Sequence, residues 1–325
     1  MELILLLFSA KYNFLLIVLF VTFILSIIFL GSVFSVLSRP SQLTHVEIVK
    51  GDTLYQNINK LNLNSYDQFV VKVFFSIFSS KQIYPGIYDA SDMSLQQFFK
   101  AILSGELKKF KLQIIEGDNV FNIASKIQKL LPNNDCPDLG CLDNASFPFV
   151  EGTLFPDTYF LTSTDSVRDM LINSQLRLSK LLDGYWNVSE SRLDSKYQAL
   201  ILASLIEKEA GTKAEMPVIA SVFYNRIKIG MKLQSDPTII YGLLPNFDGD
   251  IKKTDIIDKN NIFNTYAIKG LPPTPISMVS KLSLDAVFNP ANTDFYYFVS
   301  KGNGEHYFSK TLDEHQAAVR KFQLQ

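Results

Sequence analysis

The pattern of apolar and polar positions changes character along the chain. From Phe14 to Leu37 it is unbroken: FLLIVLFVTFILSIIFLGSVFSVL carries no charge and is bracketed by Lys11 and by Arg39-Pro40. Such a run is long enough to cross the hydrocarbon layer as a helix. A cleaved signal peptide has an apolar region of only about 7–15 residues with a small-x-small cleavage site. The run therefore reads as a retained anchor, residues 14–37, after an N-terminal tail, residues 1–13. Orientation is barely decided by charge, since Glu2 and Lys11 lie on one side and Arg39 and Lys50 on the other.

Beyond the anchor, VEIVKGDTLYQNINKL (Val46 to Leu61) predicts a short strand, a Gly-Asp turn with Asp52 or Thr53 as N-cap, and an amphipathic helix. The grammar returns in LQIIEGDNVFNIASKI (Leu112 to Ile127), which pairs Ile48 with Ile114, Gly51 with Gly117, Asp52 with Asp118 and Lys60 with Lys126. Gly-Asp is also efficient turn-and-cap chemistry in its own right. The pattern nevertheless resembles LysM carbohydrate-binding modules, so residues 46–132 are expected to form a LysM-like region. Its first copy continues through a helix over Asp67 to Phe78 into the extended YPGIYDASD.

Pro132, Pro137 and Gly140 make residues 133–143 an irregular boundary or surface loop. A second domain is expected over 145–325. Within it, helical spacing marks Ser166 to Leu182 and Asp194 to Ala210, with Gly211 as C-cap, and a third helix from Lys213 to Ile229 closed by Gly230. NTYAIKGLPPTPIS is too rich in proline for a helix. FYYFVS and EHYFS, flanking Lys301-Gly302-Asn303-Gly304, predict a β-hairpin, and Thr311 with Glu314 opens a last helix with a capping box. The fold class is α+β: a transmembrane helix, a small strand-helix module, and a mainly helical domain with a hairpin.

Composition narrows the chemistry. At 325 residues the chain has room for two or three cores. Lys+Arg 31 against Asp+Glu 32, without long blocks of one sign, disfavours a nucleic-acid partner. The 26 Phe and 14 Tyr mostly fill cores, although some rings are suited to stack on sugar faces. Cys136 and Cys141, in C-P-D-L-G-C, have a spacing that admits a small disulfide loop, fitting an oxidising compartment. A zinc site would need ligands that only three distant histidines supply, so no metal is expected.

The most informative stretch is Leu202 to Gly242, LASLIEKEAGTKAEMPVIASVFYNRIKIGMKLQSDPTIIYG, with Glu151 to Tyr159 (EGTLFPDTY) before it and Asn264-Thr265-Tyr266 and Gly270 to Ile276 (GLPPTPI) after it. Together these motifs resemble the endolytic murein transglycosylases, and the resemblance runs from about Val46 to the C-terminus. It implies one pass through the cytoplasmic (inner) membrane, a catalytic part on the extracytoplasmic side, and cleavage of the MurNAc–GlcNAc bond of peptidoglycan with a 1,6-anhydro-muramyl product. It also implies a role in terminating glycan elongation, with glycan strands as substrate, peptidoglycan synthases as candidate partners, and no cofactor.

Ordinary glycosidases pair a general acid with a second carboxylate. In a lytic transglycosylase the nucleophile is the sugar's own C6 hydroxyl, so one carboxyl protonates the leaving oxygen and then deprotonates that hydroxyl. The acid must begin neutral, which burial or an apolar wall favours. Within IEKEA two candidates stand about 200° apart on the helix. Glu207 lies over Leu200, Ala203 and Ser204, where small side chains would admit a sugar, and Glu209 over Leu202, Leu205 and Ile206. Spacing does not choose between them, and the resemblance places the catalytic residue on Glu207. Gln234, Ser235 and Asp236 are either sugar contacts or a capped turn before Pro237. Asn225, Asn264 and Tyr266 are further substrate-binding candidates, Thr265 would add another donor, and Leu271 to Pro275 a stiff wall. Tyr224 is as readily core, and His306 and His315 are expected to be structural or surface residues. A hydrolytic muramidase and a noncatalytic anchored peptidoglycan-binding scaffold remain the alternatives.

Overall fold

In the computed structural model, residues 2–41, 43–61, 63–78, 82–131, 133–142, 147–188 and 193–324 are described. Pro132 and position 145, the expected start of the second domain, fall outside them. The chain divides into two compact units, one of residues 1–110 with 161–165, the other of residues 111–160 with 166–325.

The first unit opens with α1 (Glu2–Leu37), of which Tyr12–Leu37 is long and apolar enough to cross a membrane, with a mean hydropathy of 3.0. There follow β1 (His45–Ile48), α2 (Leu54–Lys60), α3 (Ser65–Phe78), β2 (Gly86–Asp89) and α4 (Leu95–Ser104). β1 and β2 pair antiparallel with Val46 opposite Tyr88. Their inward side chains, Val46, Ile48 and Tyr88, meet Leu54, Ile58, Val70, Val71, Phe75, Phe98, Phe99 and Ile102 in one core. Thr53 is the N-cap of α2, in a capping box with Gln56, and Ser94 with Gln97 does the same for α4.

The second unit contains β3 (Phe110–Ile114), α5 (Val120–Leu130), β4 (Asp157–Leu161), α6 (Val167–Val188), α7 (Lys196–Glu209), α8 (Met216–Lys228), α9 (Asp236–Leu243), α10 (Lys253–Ile257), α11 (Lys281–Phe288), the β5 (Tyr297–Ser300) and β6 (His306–Ser309) hairpin, and α12 (Leu312–Phe322). β3 pairs with β4, and β5 with β6 in antiparallel register, Val299 opposite Tyr307. α7 is the centre. Every residue from Ala199 to Ile206 is buried, so the helix is apolar all round and is wrapped by α6, α8, α9 and α11.

The repeated Gly-Asp motif has a structural meaning. Gly51 and Gly117 both take left-handed φ, 98° and 82°, which only glycine adopts freely. The aspartate that follows turns back in both copies. Asp52 accepts the Val49 N–H and binds Lys60, while Asp118 accepts the Ile115 N–H and binds Lys126. Each aspartate thus staples strand end, turn and helix together. The two cysteines are joined by a disulfide with their Cα atoms 5.4 Å apart.

One helix end differs from expectation. α7 stops at Ala210 in an extended conformation, and Gly211 is not its left-handed cap. Gly211 is needed for a different reason: the carbonyl of Gly304, in the β5–β6 loop, lies where a Cβ would be. Gly230, with φ 68°, closes α8 as the pattern predicts.

Candidate active site at the end of α7

The last turn of α7 carries Glu207 and Glu209, and the separated sequence motifs gather around it on two sides. On the first side, Glu207 Oε2 accepts the N–H of Ser280, 2.9 Å away, the N-cap of α11. The segment that presents Ser280 is itself braced. Met278 N–H donates to Asp118 O (2.6 Å) and Gly117 N–H to Met278 O (2.9 Å), so the second Gly-Asp turn docks here, and Lys208 Nζ reaches Gly117 O at 3.4 Å. Ile276 N–H donates to Ser204 Oγ.

That last bond corrects one expectation. Ala203 and Ser204 are small, yet they do not open a path for sugar. Both are fully buried, with Ile276 N–H donating to Ser204 Oγ and the Ser277 hydroxyl to the Ser204 carbonyl.

Glu151 and Gly152, from the EGTLFPDTY motif, support the same side. Gly152 has φ 73°, and a Cβ there would collide with the Pro275 ring. Glu151 is buried at 4 % exposure, its carboxylate accepting from Val120 N–H (3.0 Å) at the start of α5, from Tyr241 Oη–H (2.9 Å) on α9, and from Gly152 N–H (3.0 Å). Burial pushes this carboxyl up to about 7 against those donors. Sequence reading passed over Glu151. Its signal was a carboxylate beside glycine inside a motif already singled out, but its partner Tyr241 lies far along the chain.

The second side belongs to Glu209, whose Oε1 accepts Ser235 Oγ–H at 2.5 Å. Burial, reinforced by the Asp236 charge, pushes Glu209 up to about 7, while Ser235 and Arg226 oppose the rise. Tyr266 Oη–H donates to Asp236 Oδ1 (2.7 Å), and burial with Asp236 pushes that phenol up. Ser235 N–H donates to Thr265 Oγ1 (2.9 Å), locking the 234–236 turn to the 264–266 segment. Gln234 is exposed, with φ 51°.

Of the predicted substrate-binding residues, then, Ser235, Asp236 and Tyr266 cluster around Glu209, with exposed Gln234 in the same turn. Asn264 and Asn225 lie apart from this cluster, with their amides engaged by backbone. Asn264 is fully buried, its amide donating to the carbonyls of Asp255, Ile256 and Asp258, because an unpaired buried amide would be expensive. Asn225 spends its amide on the carbonyls of Thr293 and Phe295 before β5. Tyr224 bonds the Val287 carbonyl inside the core, and His306 pairs with Glu215. A cavity of about 580 Å³, lined by Phe155, Arg177, Lys180, Leu181, Tyr185 and Lys281 among others, shares with the site only the neighbour of Ser280.

The model of the YceG-like family matches residues 46–321, and the chain belongs to that family. It is similar to the endolytic murein transglycosylase of Bacillus subtilis (strain 168), 35% identical over 223 residues, which is 68% of this chain and 61% of that protein. It is similar also to the endolytic murein transglycosylase of Streptococcus pneumoniae serotype 2, 28% identical over 231 residues, 69% of this chain and 40% of that protein. The matches thus span less than two thirds of the length of these relatives. A solved structure of a yceG-like protein from Listeria monocytogenes superposes with a TM-score of 0.60 at 29% identity, covering 84% of this chain and 97% of that one.

Proposed function

We propose that the chain is a membrane-anchored lytic transglycosylase of peptidoglycan with Glu207 as its single acid/base. The observation that carries this reading is the convergence of the Glu151–Gly152, Pro275–Ser280, Gln234–Asp236 and Asn264–Tyr266 segments on one turn of α7, in a family whose curated relatives are named for this activity. In the reaction, the Glu207 carboxyl gives its proton to the glycosidic oxygen as the MurNAc C1–O bond breaks, releasing GlcNAc with a free hydroxyl. The carboxylate then takes the proton of the MurNAc C6 hydroxyl as its oxygen bonds to C1, closing the 1,6-anhydro ring. No water is consumed and Glu207 is restored. Ser280 N–H orients one carboxylate oxygen, leaving Oε1 for the sugar.

α1 would cross the cytoplasmic membrane with the rest of the chain outside the cytoplasm. The first unit's strand-helix-helix-strand order supports a LysM-like glycan-binding role for it.

A second reading has one observation in its favour: Glu209, pushed up to about 7 and surrounded by three of the predicted contacts, has the protonation an acid needs near neutral pH. Glu207→Gln and Glu209→Gln separate the two. The first should lower anhydro-muropeptide release from purified peptidoglycan by about 10²–10⁴-fold or more, and the second should be milder. A dead Glu209 variant beside an active Glu207 variant would move the acid to Glu209. Reducing ends in place of anhydro ends would make the enzyme a hydrolase, and glycan binding without any product would make it a scaffold.

A further inference from the structure

α3, SYDQFVVKVFFSIF, carries a wider apolar arc than its core contact uses, with Ser65, Gln68, Lys72 and Ser76 confined to one polar strip. Part of that arc, with Val70, Val71 and Phe75, enters the core of the first unit. The adjoining stripe, Tyr66, Phe69 and Val73, falls within one narrow arc of the helix, and Tyr66 and Phe69 are 59% and 62% exposed. Large aromatics so placed ask for an occupant.

The helix against which α3 packs supplies one. Phe29, Val33, Val36 and Leu37 of α1 belong to the same cluster as the buried face of α3. Tyr66 Oη–H donates to Ser32 Oγ at 3.1 Å, and Asp67 pairs with Arg39. At 1.5 Å per residue, the 26 residues of Tyr12–Leu37 span about 39 Å, against about 30 Å of hydrocarbon. Counted from Tyr12, which follows the charged Lys11, about 30 Å ends at Ser32, where Tyr66 is bonded. The packed turns from Phe29 to Leu37 therefore lie at and just outside the boundary of the apolar layer, with Arg39 at headgroup level. The module cannot stand clear of the bilayer without breaking its own core.

We infer that α3 is an interfacial helix, laying Tyr66, Phe69 and Val73 into the outer boundary of the same bilayer that α1 crosses. The inference rests on the reading of α1 as a membrane span. Tyrosine at this depth, with its ring in the apolar layer and its hydroxyl on Ser32, matches the placement aromatic side chains favour at membrane interfaces. The consequence is that the first unit is held flat against the membrane and does not swing on a tether.

The test uses the full chain in phosphatidylcholine–phosphatidylglycerol vesicles. Trp186 is the single tryptophan, so Trp186→Phe gives a silent background into which Phe69→Trp or Phe23→Trp is placed. Phe23, midway along the span, is a 63% exposed residue of α1 and serves as the reference for a lipid-facing site. Acyl-chain-brominated lipids should quench the position-69 tryptophan at least half as strongly as that at position 23, with little quenching by iodide. If position 23 is quenched while position 69 stays open to iodide, the inference fails and the anchor reading stands. If neither is quenched, the anchor reading fails and takes the inference with it. Shielding of position 69 from iodide that grows with protein density, without quenching by brominated lipid, would assign the stripe to a second copy and overturn the inference.

Discussion

Replacing Glu151 by glutamine should change how the protein's stability depends on pH. The folded-state value of about 7 lies above the ordinary 4.5, so the folded protein holds a proton that the unfolded chain releases. The sign follows: the contribution is fully present below pH 4.5 and is lost as pH rises through 7. A rise of that size amounts to at most about 3 kcal/mol, at about 1.36 kcal/mol per unit. Glutamine keeps the volume and cannot ionise. Its carbonyl oxygen, in place of Oε2, still accepts from Val120 N–H and Tyr241 Oη–H. Its amide, in place of Oε1, loses the Gly152 N–H, a loss of about 1 kcal/mol.

The variant should therefore be about 1 kcal/mol less stable than the parent below about pH 4, about equal to it near pH 5, and up to about 2 kcal/mol more stable at pH 8. Thermal unfolding of the detergent-solubilised chain from about pH 3.5 to 8.5 reads this as a Tm difference that changes sign, with roughly 2–4 °C for each kcal/mol. Glu209 titrates in parent and variant alike, so the difference isolates Glu151. Parallel curves would refute the reasoning, because they would mean that Glu151 is as solvated in the fold as out of it. Because Glu151 is buried with both oxygens occupied by protein donors, catalytic rate at pH 6 should stay within about tenfold of the parent, a far smaller loss than that expected on removing a general acid.

Gly152→Ala forces a side chain into a left-handed turn and into the Pro275 ring, and should lower stability by about 1–3 kcal/mol, seen as a Tm drop of several degrees with activity falling alongside. Asp118→Asn and Asp52→Asn remove equivalent staples from the two Gly-Asp turns. Asp118 is the more buried, at 9% against 21% side-chain exposure, so its loss should be the larger, and it alone should lower activity through the Met278–Ser280 segment; equal effects on activity would refute that link.

Much of this architecture was legible because it is local. The Gly-Asp copies, the Thr311–Glu314 cap, the hairpin and the proline-rich segment are each written within a few residues, and the structure has them where spacing puts them. What escaped is set by distant partners. Asn225 and Asn264 stand in motifs where a sugar contact and a backbone brace look alike, and only the folded position of the Thr293, Phe295 and Asp255 to Asp258 carbonyls reveals the brace. Gly211 follows a helix and so reads as a cap, until the approach of Gly304 supplies a different reason for it. Glu151 is a buried carboxylate whose donors come from α5 and α9, which no periodicity reports.

Ser235 is the position at which the two assignments of the acid part company. Its hydroxyl donates to Glu209 and holds that carboxyl down against burial, so Ser235→Ala should raise Glu209 above about 7. If Glu207 is the acid, Glu209 is a post that fixes the 234–236 turn. The variant then raises KM for glycan while the pH dependence of kcat keeps its shape. If Glu209 is the acid, its protonated form survives to higher pH, and the alkaline limb of the kcat profile moves up with it. Thermal unfolding gives the internal control. A raised Glu209 extends the window over which folded-state protonation stabilises, so the loss of Tm on going alkaline should begin at the same pH but run on to higher pH in the variant under either assignment. A shifted unfolding profile with an unshifted kcat profile keeps Glu207 as the acid, whereas the two profiles moving together would transfer the proton to Glu209 and overturn the single-carboxyl assignment made above.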